Sequence, residues 1–256
     1  VTLLVPEELS GAPLPLSLRL ENAAVSCAIY LRQMFWPTRL ACLYPNPTGP
    51  LPVTSVMLSI FILGVISALA IRWYARRPYW SVGWFWFVGM LVPVIGLVQI
   101  SSYAHADRYT YLPGIGLLIL LTWATVELTD RWRRQKMVLG IAAVVVLGGL
   151  ALRARDQVRL WSDDLVLWNY VVACTETNAI AESNLGTLYH QSGNLTEAFK
   201  HLRRAVEYDP ANANARYNLG TALSDAGQLE EAVEHLARAV ALDPEPRFIL
   251  NLANTY

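Results

Sequence analysis

Residues 53–73 read VTSVMLSIFILGVISALAIRW, and this run decides the environment of the chain. Its only charged residue is Arg72, near its end. A helix that rises about 1.5 Å per residue covers about 30 Å over this length, which matches the hydrocarbon core of a bilayer. The run therefore predicts a membrane-spanning helix. Composition agrees, because 54% of the residues are hydrophobic and 16% are charged, which is unusual for a soluble domain.

Three further apolar runs follow, and together the runs predict a bundle of four spans. The four spans are 53–73, 79–100, 112–128 and 137–152. Pro93 lies inside the second span and predicts a kink, because proline removes a backbone hydrogen bond. The predicted domains are an N-terminal segment (1–52), the bundle (53–152), a coupling helix (153–178) and a repeat region (179–256). We interpret the chain as an internal fragment of a longer protein.

Basic residues alternate between the loops and predict the orientation of the bundle. Those of the first and third loops are Arg72, Arg76, Arg77, Arg131, Arg133, Arg134 and Lys136, whereas the second loop, 101–111, carries only Arg108. By the positive-inside rule, the first and third loops are cytoplasmic. The second loop, residues 1–52 and the repeats are then extracytoplasmic. Three arginines after the fourth span run against this assignment: Arg153, Arg155 and Arg159.

Residues 18–35 mix apolar and polar side chains too evenly to span a membrane. We expect an amphipathic helix that lies along the membrane surface. The formal net charge of the chain is zero. Total charge therefore predicts no nucleic-acid partner.

The C-terminal part of the chain contains an internal repeat. Residues 179–210 and 213–244 share 17 identities in 32 positions at a fixed offset of 34. Gly193 and Gly227 divide each unit into two helices. Such a unit cannot cover its own apolar face, so neighbouring units must stack. The repeat therefore predicts an α-solenoid with a concave groove.

These units resemble the tetratricopeptide repeat. The matching positions are Leu185, Gly186, Tyr189, Ala198, Ala205 and Pro210 in the first unit, and Leu219, Gly220, Ala232, Ala239 and Pro244 in the second. Leu223 stands where the first unit has Tyr189, and residues 251–256 resemble the opening of a truncated third unit. The predicted fold class is all-α: a multi-pass transmembrane helical bundle followed by an α-solenoid of tetratricopeptide repeats.

The resemblance implies a groove that binds a peptide or an extended segment of a partner protein. Its lining residues would be Ser183, Thr187, Tyr217 and Thr221. Packing of these residues between repeats is an equally good interpretation.

His201 and His235 occupy the same position of the two repeats. A solvated helix face explains them better than a metal site, because neither has a second ligand nearby in sequence. No metal site is predicted.

Residues 102–113, SYAHADRYTYLP, place the Asp107–Arg108 pair among three tyrosines at the outer mouth of the third span. A charge pair at this depth requires a reason, because charges near hydrocarbon are costly. From the residues alone, an interfacial aromatic belt with a snorkelling arginine is favoured over a binding site.

The order of features resembles the bacterial relatives of the transmembrane and tetratricopeptide-repeat O-mannosyltransferases. The features are MFWP at 34–37, YP at 44–45, Gly83-Trp84, Pro93, ADRYTYLP at 106–113, and Trp161 before the repeats. Those proteins resemble GT-C glycosyltransferases, which move a sugar from a polyprenyl-phosphate carrier to a Ser or Thr hydroxyl outside the cytoplasm. The resemblance implies an enzyme of the bacterial inner membrane with periplasmic repeats, mannose as the sugar and no cofactor.

The resemblance also implies roles for individual residues. Arg108 would bind the phosphate of the lipid carrier through two charge-assisted hydrogen bonds. Asp107 would orient Arg108 or contact sugar hydroxyls, and His105 would do either. Tyr109 and Tyr111 would line the path of the carrier.

In the family, the acidic motif that supplies the catalytic base lies further upstream, so no catalytic residue is assigned here. The open alternative is a non-enzymatic membrane-anchored scaffold whose repeats bind other proteins.

Overall fold

The computed structural model describes residues 15–38, 40–47, 49–97, 103–175 and 177–256. These residues are mainly helical, which confirms the all-α class. The helices are α1 (Leu16–Phe35), α2 (Val53–Arg72), α3 (Pro78–Leu91), α4 (Tyr111–Thr129), α5 (Gln135–Leu160), α6 (Asp164–Cys174), α7 (Ala179–Gln191), α8 (Leu195–Tyr208), α9 (Ala213–Asp225), α10 (Leu229–Leu242) and α11 (Pro246–Thr255). The short strands β1 (Tyr44–Pro45) and β2 (Tyr103–His105) form an antiparallel ribbon, and a 3-10 turn (Asp107–Thr110) leads into α4.

Among the described residues, three segments are long and apolar enough to cross a membrane. They are α2, the 3-10 turn together with α4, and α5. Helix α5 extends over 26 residues, from Gln135 to Leu160, and its most apolar window has no buried residue. The large apolar side chains of these helices are mostly exposed, as expected of surfaces that face lipid.

The second predicted span, 79–100, differs from the structure. It is helical only over Pro78–Leu91, a length of 14 residues. Residues 92–97 form turns, and 98–100 lie outside the described residues. Pro93 has no N–H to continue the helix, and Gly96 adopts a φ of 81°, a conformation that glycine takes without strain. A helix of this length rises only about 21 Å, less than the hydrocarbon core.

Helices α3 and α4 pack closely because each carries a glycine at the contact. A Cβ atom on Gly83 would lie 2.5 Å from the carbonyl oxygen of Gly116 and 2.8 Å from Cβ of Leu120. Small residues allow the backbones of membrane helices to approach this closely. The core of the bundle surrounds this contact and includes Trp84 and Phe87, each 1% exposed.

Helix α1 packs against α2 and strand β2, and its inward face is partly polar. Asn22, Ser26 and Gln33 are buried there beside Tyr30, whereas Leu16 and Leu20 are exposed. The predicted position of this helix along the membrane surface remains a prediction. Its polar inward face points to a role in the site described below.

The repeats form two helical pairs, α7–α8 and α9–α10, and α11 packs against α10 and α9. Asparagine side chains cap three of these helices: Asn178, Asn194 and Asn212 accept hydrogen bonds from the N–H groups of Ala181, Glu197 and Ala215. Gly193 and Gly227 have φ angles of 80° and 77° in the turn within each pair. Both glycines therefore stand where an L side chain would be strained.

His201 corrects one expectation about the repeats. It is 7% exposed, and its Nδ1 atom lies 2.5 Å from Oε2 of buried Glu182. The ring also stacks on Tyr189 with centroids 5.5 Å apart. The interpretation of His201 as a residue on a solvated face is therefore wrong, because the histidine satisfies a buried carboxylate between the two helices of the first repeat.

Candidate functional site

The β1–β2 ribbon brings two distant aromatic residues together. Tyr44 pairs with His105 across the strands. The two rings are stacked, with centroids 4.1 Å apart and an angle of 11° between their planes. Tyr30 of α1 packs edge-on against the same imidazole at 5.7 Å. His105 is therefore enclosed by two tyrosines and is 8% exposed.

Tyr30 holds the backbone between His105 and Asp107. Its hydroxyl donates to the carbonyl oxygen of Ala106 and accepts from the N–H of the same residue, each at 3.0 Å. One buried side chain thus satisfies both polar groups of a buried residue. This arrangement fixes the direction in which the neighbouring side chains leave the backbone.

The carboxylate of Asp107 accepts hydrogen bonds from two residues that lie far upstream. Gln33 Nε2 donates to Oδ1 at 3.2 Å, and the Tyr44 hydroxyl donates to the same oxygen at 3.3 Å. The Tyr44 hydroxyl in turn accepts from the N–H of Ala41 at 3.0 Å. We call Tyr30, Gln33, Tyr44, His105 and Asp107 the Asp107 cluster.

Burial sets the protonation states around the cluster. It lowers the pKa of His105 from its ordinary 6.5 to about 4, so the imidazole is neutral near pH 7. Burial also raises the pKa of Tyr44, and the nearby charge of Asp107 raises it further. The phenol therefore remains protonated and able to donate to Asp107.

Arg108 lies beside the cluster with its side chain exposed. Its guanidinium carbon is 5.4 Å from the ring centre of Tyr109. Tyr109 is half-buried and packs against the cores on both sides, whereas Tyr111 is 78% exposed at the start of α4. The structure thus brings Asp107, His105, Arg108 and Tyr109 together and leaves Tyr111 on the surface.

Helix α6 joins this region to the repeats through a shared hydrophobic core. The core consists of Ala41, Leu43, Ala106, Leu167, Trp168, Val171, Ala181 and Leu185. It therefore contains residues from the N-terminal loop, the β2–α4 loop, α6 and the first helix of the repeats. The first repeat therefore packs against the loop that leads into Asp107 and Arg108.

The four predicted groove residues all take part in hydrogen bonds of the repeats. Ser183 Oγ accepts from Asn218 at 3.0 Å, and the Thr187 hydroxyl donates to the backbone oxygen of Ser183 at 2.8 Å. Tyr217 and Thr221 both accept from Asn251, at 2.7 and 3.3 Å. The bonds of Ser183, Tyr217 and Thr221 link successive first helices, whereas the bond of Thr187 stays within α7. Packing between repeats is therefore an observed role of three of these residues, and peptide binding remains a prediction.

Sequence reasoning missed Tyr30, Gln33 and Tyr44 as members of the site. Tyr44 and Tyr30 lie 63 and 76 residues from their partners Asp107 and Ala106. The only local signal was the spacing of Tyr30 and Gln33, which places both on one face of a helix.

The family described as tetratricopeptide repeat matches residues 189–250. Protein O-mannosyl-transferase Tmtc2 of Drosophila melanogaster is 26% identical over 119 residues, which cover 46% of this chain and 12% of that protein. Protein O-mannosyl-transferase TMTC4 of Mus musculus is 30% identical over 150 residues, which cover 57% of this chain and 20% of that protein.

The chain thus carries tetratricopeptide repeats over residues 189–250 and is similar to Tmtc2 and TMTC4. It spans 12% of the length of Tmtc2 and 20% of the length of TMTC4. Its apolar helices and this likeness indicate that it associates with membranes. A solved structure of an O-GlcNAc transferase mutant from Thermobaculum terrenum is 32% identical to this chain, with a TM-score of 0.35. The match covers 39% of this chain and 20% of that chain.

Proposed function

We propose that this chain is part of an integral-membrane glycosyltransferase that moves a sugar from a polyprenyl-phosphate carrier to a Ser or Thr hydroxyl of a protein. The names of the two relatives indicate mannose as the sugar. One structural observation carries the proposal: the Asp107–Arg108 pair stands at the start of a segment long enough to span a membrane, beside the core that holds the first repeat. A lipid-linked donor and a protein acceptor would meet at this position.

Arg108 is the residue that we assign to the phosphate of the donor. During transfer, the bond between the anomeric carbon and the phosphate oxygen breaks, and its electron pair leaves with the phosphate. The acceptor oxygen bonds to the anomeric carbon and gives its proton to a general base, a role for which no residue is assigned here. The phosphate gains negative charge in this step, and a guanidinium can stabilise it with two parallel hydrogen bonds.

The proposed location is the bacterial inner membrane, with the repeats on the periplasmic face. The arginines and the lysine of the first and third loops support this orientation by the positive-inside rule. Residues 40–45 and the end of α5 would then lie on the outer side, where Gln157 donates to the backbone oxygen of Leu40 at 3.4 Å. The repeats would present the acceptor protein to the site.

The test is sugar transfer by the full-length protein carrying Arg108→Ala or Arg108→Lys. We expect Arg108→Ala to reduce turnover about 100-fold, since one donor to a developing anion has an effect of this order. Lysine keeps the charge and loses the paired geometry, so Arg108→Lys should retain intermediate activity. Arg76→Ala is the matched control, because Arg76 is also exposed but lies at the opposite end of the bundle. Unchanged turnover in Arg108→Ala would reject the assigned role.

A membrane-anchored scaffold is the second candidate. The repeat match over residues 189–250 favours it, because these repeats indicate protein–protein interaction in general. A scaffold would bind a partner protein through the repeats and would catalyse no transfer. Absence of transfer by the wild-type protein, with partner binding retained, would decide for the scaffold.

A further inference from the structure

Buried polar atoms without a hydrogen-bond partner are uncommon in folded proteins, because such atoms lose their bonds to water. Among the described residues, six side-chain atoms are in this state: Ser26 Oγ, Gln33 Oε1, Trp80 Nε1, His105 Nδ1, Asn178 Nδ2 and His235 Nδ1. Two of them, Gln33 Oε1 and His105 Nδ1, belong to the Asp107 cluster. Each of these two residues is 8% exposed.

The orientation of the Gln33 amide is determined by its neighbours. Its nitrogen lies 3.2 Å from the carboxylate of Asp107 and 3.2 Å from the Tyr44 hydroxyl. Only the amide nitrogen can donate to a carboxylate, so these contacts assign the nitrogen to the side of Asp107 and the oxygen to the opposite side. Gln33 Oε1 is therefore an acceptor that lacks a donor, on a side chain that hydrogen-bonds to Asp107.

The polar groups of the cluster suit one kind of ligand. The Asp107 carboxylate and Gln33 Oε1 are acceptors, and a neutral imidazole nitrogen either accepts or donates. An ionised phosphate carries acceptors only and cannot satisfy Gln33 Oε1. A hydroxyl both donates and accepts, so a polyhydroxylated ligand can satisfy every atom of the set. Arg108, which has only donors, suits the phosphate instead.

We infer that the Asp107 cluster binds the sugar of the lipid-linked donor, with Gln33 Oε1, His105 Nδ1 and the Asp107 carboxylate contacting its hydroxyls. This inference rests on the proposed function, because it divides one donor between two neighbouring groups. Arg108 binds the phosphate, and residues of α1 and β2 bind the sugar. Tyr30 and Tyr44 are positioning residues that hold Ala106, His105 and Asp107 in place through the contacts described above.

Comparing the binding of two lipids tests the sugar site separately from the proposed function. The probes are undecaprenyl-phosphate mannose and undecaprenyl phosphate without sugar, added to the full-length protein in nanodiscs. We expect the wild-type protein to bind the mannose-bearing lipid more tightly. His105→Phe keeps the ring that stacks on Tyr44 and removes the nitrogens, so it should weaken binding of the mannose-bearing lipid about tenfold. Binding of the sugar-free lipid should change less than about twofold.

Thermal unfolding of the same variant distinguishes a ligand contact from a structural role. Replacing an unpartnered buried nitrogen by carbon removes an unpaid desolvation cost, so stability should be unchanged or higher. His235→Phe is the matched control, because His235 Nδ1 is also without a partner but lies in the second repeat. This control should leave both lipid affinities unchanged. Gln33→Met removes the second atom together with the amide nitrogen that donates to Asp107. It should also weaken binding of the mannose-bearing lipid only.

Each result has a defined meaning. Equal weakening of both lipids, or weakening of neither, in His105→Phe and Gln33→Met would overturn the sugar site and leave Arg108 and the proposed function standing. Equal affinity of the wild-type protein for both lipids would also overturn the sugar site. Water would then be the favoured partner of Gln33 Oε1 and His105 Nδ1. If the wild-type protein bound neither lipid, both the sugar site and the proposed function would fail.

Discussion

His105 is a histidine kept neutral by its surroundings, since two tyrosine rings enclose it and its pKa falls to about 4. An unfolded chain exposes this imidazole, which then titrates near its ordinary value of 6.5. Between these two values the unfolded state binds more protons than the folded state. The contribution of His105 to the free energy of unfolding is therefore constant above about pH 6.5 and decreases as the pH falls toward 4.

This difference in protonation predicts acid sensitivity that depends on one residue. Lowering the pH from 7 to 4 should reduce the free energy of unfolding by about 3 kcal/mol through His105, because each unit of pKa shift corresponds to about 1.4 kcal/mol. Thermal unfolding of the wild-type protein and His105→Phe at both pH values measures the effect. The midpoint of the wild-type protein should fall more than that of the variant. Parallel decreases in the two proteins would contradict the neutral, buried state of His105.

The contact between α3 and α4 depends on two glycines. A Cβ on Gly83 would meet the Gly116 carbonyl oxygen and Leu120, both within 2.8 Å. Backbone atoms cannot move aside without separating the helices. We therefore expect Gly83→Ala to destabilise the bundle by about 2 kcal/mol, as overpacking of a core does.

Gly64→Ala provides a matched control for this prediction. Gly64 lies within α2, and a Cβ there meets no atom within 4 Å. Alanine favours helix over glycine, so this variant should be neutral or slightly more stable. Thermal unfolding in detergent compares the two. Equal stability of Gly83→Ala and Gly64→Ala would show that α3 and α4 do not pack through their glycines.

The elements differ in how well sequence alone predicts them. Helices α2, α4 and α5 follow from hydrophobicity and length, because a spanning helix satisfies its backbone internally and needs no partner to be recognised. The second predicted span ends at residue 100, whereas α3 ends at Leu91. Hydropathy alone does not detect the turn that Pro93 and Gly96 impose. The repeat helices were predictable from their period of 34 and their glycines.

The candidate site was only half predictable for a related reason. Asp107, Arg108 and His105 occupy one short stretch whose charges among aromatic residues attract attention. Gln33 and Tyr44 reach the same carboxylate from 74 and 63 residues away, and these contacts exist only after α1 and the β1–β2 ribbon have packed. No periodicity or spacing in the sequence encodes such contacts.

At the scale of the whole molecule, α6 is the connection between the membrane part and the repeats. Trp168 is 6% exposed in the core that includes Ala106 of the β2–α4 loop and Leu185 of the first repeat. If the repeats present an acceptor to Asp107 and Arg108, this core must keep the first repeat in a fixed position. A flexible connection would instead lower the local concentration of the acceptor at the site.

Trp168→Ala should therefore destabilise the packing of α6 against residues 40–45 and against the first repeat at the same time. Loss of a buried tryptophan lowers the free energy of unfolding by about 3–5 kcal/mol. Hydrogen exchange should accelerate at least about tenfold in α6, in α7 and in residues 40–45, because all three share the core, while α9 and α10 should keep their protection. Trp123→Ala is the matched control, since Trp123 is 58% exposed on α4 and should leave exchange of these segments unchanged. Faster exchange confined to α6 would mean that residues 40–45 and the first repeat are held independently, and that α6 does not position the repeats over the site.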